Sequence, residues 1–159
     1  VTGPQHLLAS GAAGVVLWVA TGEPITLPVA IAAGVLPDVD HVLDYYNRYI
    51  RRDWRRIYLI LHGWEYFAAM VALYLAAFRE PWVLAVALGY LTQIGGDQLH
   101  NGGRWFSYFL TGRALARFRS PVILPNEKPD SYEAFVQSIP FGRGPVRRWF
   151  AARSTPRFR

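Results

Sequence analysis

Between Leu7 and Pro37 the chain carries one charged residue, Glu23, and the turn-forming Gly22-Glu23-Pro24 divides this apolar stretch into two segments. A second apolar stretch runs from Ile57 to Phe78 and a third from Pro81 to Gly96, separated by Arg79-Glu80-Pro81. This pattern predicts two helical hairpins that form an all-α, four-helix, up-down bundle. The expected helices are about 14, 12, 22 and 16 residues long. A membrane-spanning helix takes about 20 apolar residues, so the third is long enough alone. The shorter helices suit either a membrane domain or the buried core of a soluble bundle.

The pattern changes after residue 101. Arg104 to Arg119 interleaves Trp105, Phe106, Tyr108, Phe109, Leu110, Leu115 and Phe118 with four arginines. That mixture predicts an amphipathic helix, lying in the headgroup region of a membrane or packed on the bundle. Pro121, Pro125 and Pro129 predict a non-helical connector, Ser131 to Ser138 a short helix, and the remainder a basic tail. The expected organisation is an apolar four-helix domain over residues 1–101 and a basic, aromatic-rich extension over 102–159. Apart from the two hairpins there is no internal repeat, and no GxGxxG, P-loop, GxSxG or HExxH occurs.

Composition narrows the chemistry. The 159 residues are 52% hydrophobic and 18% charged, enough for one domain and more apolar than an ordinary soluble one. With no cysteine, disulfides, thiolate metal sites and cysteine nucleophiles are excluded, so a metal would sit on His, Asp or Glu. The net charge is +6, and its basic side is sixteen arginines against the single Lys128, a bias that suits phosphate or anionic headgroups. Five arginines fall within Arg48 to Arg56, between the hairpins. If the four helices cross in alternation, this segment and the basic extension share one side, the cytoplasmic face under the positive-inside rule. The expectation is therefore an integral, prokaryotic-type inner-membrane protein with cytoplasmic termini and membrane lipids as partners, anionic headgroups among them. A homo-oligomer would help to bury the short helices. Nucleic acid is the competing use of the arginines, disfavoured because no stacking platform is visible. Val1 to Gln5 carry no side-chain charge, so no cleavable secretory signal is expected.

The ionisable residues of the apolar half cluster at the predicted helix ends. His6, His41, His62 and His100 are all the histidines of the chain, and three of them form i,i+3 pairs: Asp38 with His41, His62 with Glu65, Asp97 with His100. On a helix such pairs share a face, and ionisable groups in apolar helices are costly unless they pair or bind metal. In an up-down bundle, His6, Asp38, Asp40, His41, His62, Glu65, Asp97 and His100 would meet at one end, the end marked by the arginines. A nitrogen and oxygen ligand set suits Zn, Mn or Fe. One or two such ions, two of them sharing a bridging Asp, would activate water for hydrolysis. Asp44 and Asp53 lack such partners and are expected as surface acids.

Four segments carry a family resemblance: Thr2-Gly-Pro-Gln-His-Leu-Leu-Ala-Ser-Gly11, Gly34-Val-Leu-Pro-Asp-Val-Asp-His41, Leu61-His-Gly-Trp-Glu65 and Gly89-Tyr-Leu-Thr-Gln-Ile-Gly-Gly-Asp-Gln98. In order and spacing they resemble the membrane-bound metal-dependent hydrolases of the YdjM-like group, over roughly residues 2 to 101, and more loosely zinc-dependent phospholipase C. The resemblance implies metal or active-site roles for His6, Asp38, Asp40, His41, His62 and Asp97, with Glu65 as a ligand or general base. The family carries a His four residues before the last Asp, where this chain has Gln93. Either His100 then supplies that nitrogen or one metal position is weakened. The expected activity is hydrolysis of a phosphoester or ester at the lipid surface. His6, Asp38, His41, His62, Asp97 and His100 would hold metal, Asp40 would bridge or orient water, and Glu65 would move the proton. Two other readings remain open: a non-enzymatic membrane scaffold pinned by a structural ion, and a di-iron carboxylate protein.

Overall fold

A computed structural model describes residues 3–101 and 103–125, together with positions 144–145, 148–149 and 152. The connector around Pro129, the helix expected over Ser131–Ser138 and most of the basic tail lie outside the described residues. Among those described, the chain is all-helical and no strand forms; the one extended pairing is an isolated antiparallel bridge between Arg56 and Arg119.

Helix α1 spans Gly3–Thr21 and turns at Gly22, whose φ of 76° lies in the left-handed region that glycine adopts without steric cost. Helix α2 spans Thr26–Val35 and does not stop where the pattern suggested. It runs on through a tight 3₁₀ turn at Leu36–Asp40, the short α3 at His41–Tyr45 and a widened π turn at Tyr46–Ile50. The whole run, Thr26–Ile50, is 25 residues, and among the described residues it is the one helix long and apolar enough to cross a membrane. Pro37 does not break it: the proline stands at the start of the tighter 3₁₀ turn, where the helix changes its winding, and the chain stays helical on both sides.

The predicted third helix is shorter than its apolar run. Helix α4 is Trp64–Ala76, 13 residues, and residues 57–63 form a non-helical strap instead. Periodicity cannot separate these states in a uniformly apolar run, and here polar partners decide. The Leu61 amide donates to the Asp40 carboxylate at 2.7 Å. The Tyr90 hydroxyl accepts from the Gly63 amide at 2.9 Å and donates to the Leu61 carbonyl at 2.6 Å. Backbone groups used this way are withdrawn from a helical ladder. Gly63 is itself extended, with φ −131° and ψ 129°, and starts α4 only at Trp64.

Helix α5, Pro81–His100, begins with a proline in its first turn and is 20 residues long. It packs against α1 and α2, which also pack on each other, and α4 lies against α5. The approach of α2 to α5 depends on Gly89, where an added methyl would overlap the Ala30 carbonyl. Leu17, Ala30 and Ala85 form the small core of this three-helix contact, and Tyr90, Ile94 and Tyr108 join α5 to α4 and the C-terminal segment.

The single interfacial helix expected over Arg104–Arg119 is not formed. Turns over 105–108 lead into the short α6, Leu110–Leu115, and the backbone is left-handed at Arg117 and Phe118. Arg113 accounts for this folding back. Its buried guanidinium donates to the carbonyls of Ser107, at 2.5 Å, and Leu59, tying the segment over the strap. Pro121, expected in a non-helical connector, lies in the first turn of α7, Ser120–Ile123. Asp44, expected on the surface, is fully buried and pairs with equally buried Arg48 at 2.8 Å, one helical turn on. The continuation of the helix past His41 makes this pair possible and withdraws Arg48 from the exposed arginine run.

Candidate metal centre

Four chain segments converge on one polar cluster. The first turns of α1 bring His6, the 3₁₀ turn brings Asp38 and Asp40, and His41 opens α3. The strap brings His62, and α5 brings Gln93 and Asp97, which lie four residues apart on one helix face. His6 Nε2 lies 3.2 Å from Asp97 Oδ1. His62 Nε2 lies 3.4 Å from Asp97 Oδ2 and 3.4 Å from Asp38 Oδ1. His41 Nε2 approaches the same Asp38 oxygen at 3.7 Å, and the two imidazoles meet edge to face with centroids 5.1 Å apart.

Two donor groups result, Asp38 with His41 and His62, and Asp38 with His6 and Asp97; within each, the donor atoms lie within 4.8 Å of one another. Asp38 belongs to both. The cluster has a closed floor and an open mouth: His6, His62, Gln93 and Asp97 are buried, whereas the side chains of Asp38 and His41 are 29% and 30% exposed.

Asp40 has a different task from Asp38. Its carboxylate faces His62 Nδ1 at 3.1 Å and takes the Leu61 amide, so it fixes the strap and turns His62 Nε2 toward Asp38 and Asp97. A carboxylate behind an imidazole is the usual orienting partner of a metal-binding histidine. Burial by itself would lower the His62 pKa, but hydrogen bonds with Asp38, Asp40 and Asp97 outweigh it and push the imidazole up to about 10. The three carboxylates thus hold a proton on His62, which a divalent ion would displace to gain the ring nitrogen.

Gln93 lies between the donor groups. Its amide nitrogen donates to Asp38 Oδ1 at 2.6 Å and lies 3.4 Å from both Asp97 Oδ2 and His62 Nε2. Its carbonyl oxygen and His41 Nδ1 are buried with no hydrogen-bond partner. Buried polar atoms are ordinarily satisfied, so these orphans, together with a nitrogen and carboxylate donor set, fit a centre built to hold a divalent ion and its water.

Two expected site residues are not brought in. His100 is exposed, its Nδ1 2.9 Å from the Gly96 carbonyl, and belongs to neither donor group. The i,i+3 spacing of His62 and Glu65 does not describe a helix face, because His62 precedes α4. Glu65 turns to α6 instead, accepting from the amides of Leu110 and Thr111, each at 2.9 Å, and from the Thr111 hydroxyl at 2.8 Å. It caps the start of that helix, a stabilising place for a carboxylate. Tyr90, which clamps the strap, was not singled out in the sequence. Its place seven residues before Asp97 and three before Gln93, on the same face of α5, is the signal that could have found it. No protein-family profile, curated protein or solved structure matches the chain.

Proposed function

We propose that the chain is a membrane-embedded, metal-dependent hydrolase of a phosphoester or ester, the activity that its YdjM-like motifs imply. The observation that carries the chemistry is the pair of donor groups sharing Asp38, open at Asp38 and His41 and closed beneath. His6, His41, His62, Asp38 and Asp97 would hold metal, and a bound divalent ion would supply Lewis acidity and a water acidic enough to attack at neutral pH. Asp40 orients His62. Gln93 holds Asp38 through its amide nitrogen and offers its free carbonyl oxygen to a hydrogen on water or substrate. Neither Glu65 nor His100 has a part in this site.

The membrane setting is supported by an inverted polarity. The outward faces of α1 and of the Thr26–Ile50 run expose Leu8, Val16, Val19, Leu36, Val39 and Val42, while His6, Ser10, Thr26, Asp44, Arg48, Gln93 and Asp97 are buried. A helix on a water-soluble bundle shows the opposite arrangement, and intramembrane ionisable groups face the bundle interior.

One feature favours a second reading, a scaffold with a structural ion: where the resembled family has a histidine, Gln93 gives no imidazole and its amide nitrogen donates to Asp38 at 2.6 Å. Elemental analysis of the detergent-purified chain, with phosphoester and ester turnover measured on the same samples, separates the two. Bound metal and turnover lost together in Asp38→Ala and His62→Ala support the hydrolase. Metal bound without turnover on any ester supports the scaffold, and absence of metal under non-chelating conditions overturns both.

A further inference from the structure

Two arginine runs far apart in sequence are paired by the fold. The Arg55 carbonyl accepts from the Ser120 amide at 2.9 Å, the Ile57 amide donates to the Phe118 carbonyl at 2.9 Å, and Arg56 bridges to Arg119. The rings of Tyr58 and Phe118 meet across the pairing, with centroids 5.4 Å apart. The paired stretches and the residues leading into them carry Arg51, Arg52, Arg55, Arg56, Arg117 and Arg119, all exposed, against the single acid Asp53, whose carboxylate takes the Arg55 amide. Six positive charges less one negative leave a formal +5.

Backbone strain collects at the same place. Among the described residues, the non-glycine positions with positive φ are Arg52 at 58°, Arg117 at 52° and Phe118 at 56°, all in these two segments. Such conformations are costly for ordinary residues and gather where a ligand is held. Arginine, with its planar fork, is the side chain that pairs with phosphate oxygens two at a time.

The flanks decide among phosphate-bearing partners. Ile50 and Ile60, just outside either end of the first segment, are exposed, as is Leu115, at 87%, two residues ahead of Arg117. A single-strand nucleic-acid groove would set open aromatic platforms between its cations, whereas the rings among these arginines are engaged within the chain, Trp54 by Tyr49 and Arg48 and Tyr58 by Phe118. Apolar side chains beside a basic edge are the composition of a membrane interface.

We propose that segments 51–57 and 117–120 together form a docking edge for the phosphate headgroups of anionic phospholipids. The inference takes its membrane setting from the proposed function and is independent of the metal. The test titrates the detergent-solubilised full chain with short-chain phosphatidylglycerol and, separately, phosphatidylcholine, reading bound lipid by native mass spectrometry. Phosphatidylglycerol should bind about tenfold tighter or more, with an affinity that falls as salt rises. The combined Arg51→Gln, Arg117→Gln and Arg119→Gln variant should lose most of this preference, while Arg79→Gln, in the exposed turn between α4 and α5, should behave as the unaltered chain. The pairing is held by backbone bonds, so the triple variant should keep its melting temperature. If it does not, the lipid preference and salt dependence of the unaltered chain decide.

Equal affinity for the two lipids, an unaffected triple variant, inorganic phosphate binding as tightly as the lipid, or tighter salt-sensitive capture of single-stranded RNA would each overturn the proposal. Extraction of membranes with alkaline carbonate reads the membrane setting separately, and metal content reads the catalytic centre, so failure of either is told apart from failure of this edge.

Discussion

Asp38 and Asp40 are two residues apart and chemically identical, yet their surroundings divide them. Asp38 sits at the mouth between both donor groups, and Asp40 lies behind His62 with its oxygens on the Leu61 amide and the imidazole. Asp40→Asn keeps the shape and one acceptor but removes the charge that orients the ring. Metal affinity should fall about 10–100-fold, read by competition with a fluorescent chelator, while Asp38→Ala removes binding altogether. His100→Ala should leave metal content unchanged, since its ring nitrogen faces the Gly96 carbonyl; a drop would restore His100 as a ligand. The ligand types were legible from the chain because His and Asp are conspicuous among apolar residues. The split between Asp38 and Asp40 was not, since it depends on where residue 61 places its amide.

The strap over residues 57–63 is the element that spacing misjudged. Its apolar composition reads as the first third of a long helix, and nothing local contradicts that reading until Asp40, Tyr90 and Arg113 draw its backbone groups away. Arg113→Met should leave the carbonyls of Leu59 and Ser107 unpaired and cost about 2–4 kcal/mol. Amide hydrogen exchange in residues 57–63 and 103–124 should rise, whereas exchange in α1 should stay as it is. Gly89 sets the distance between α2 and α5, and Gly89→Ala should lower stability by about 1–3 kcal/mol through overpacking, checked by thermal melting in detergent. If the variant melts as the unaltered chain does, the helices do not meet as closely as the Ala30 contact requires.

At the scale of the whole molecule, α1 and the Thr26–Ile50 run turn polarity inward: Leu8, Val19, Leu36 and Val42 are exposed, while His6, Asp40, Asp44 and Arg48 are buried. The chain should therefore stay in the membrane pellet after alkaline carbonate treatment, and release into the supernatant would return it to the class of soluble bundles. Helix content, the two turns that divide the apolar stretches and the candidate ligands could be read from residue order, because local periodicity, turn residues and the cost of charge in apolar stretches act over a few positions. Which ligands meet, why Glu65 serves α6 and His100 faces outward, and how residues 51–57 come to lie beside 117–120 were settled by folding. Those outcomes depend on hydrogen bonds between residues tens of positions apart, and such bonds compete with the helix that each local segment would otherwise form.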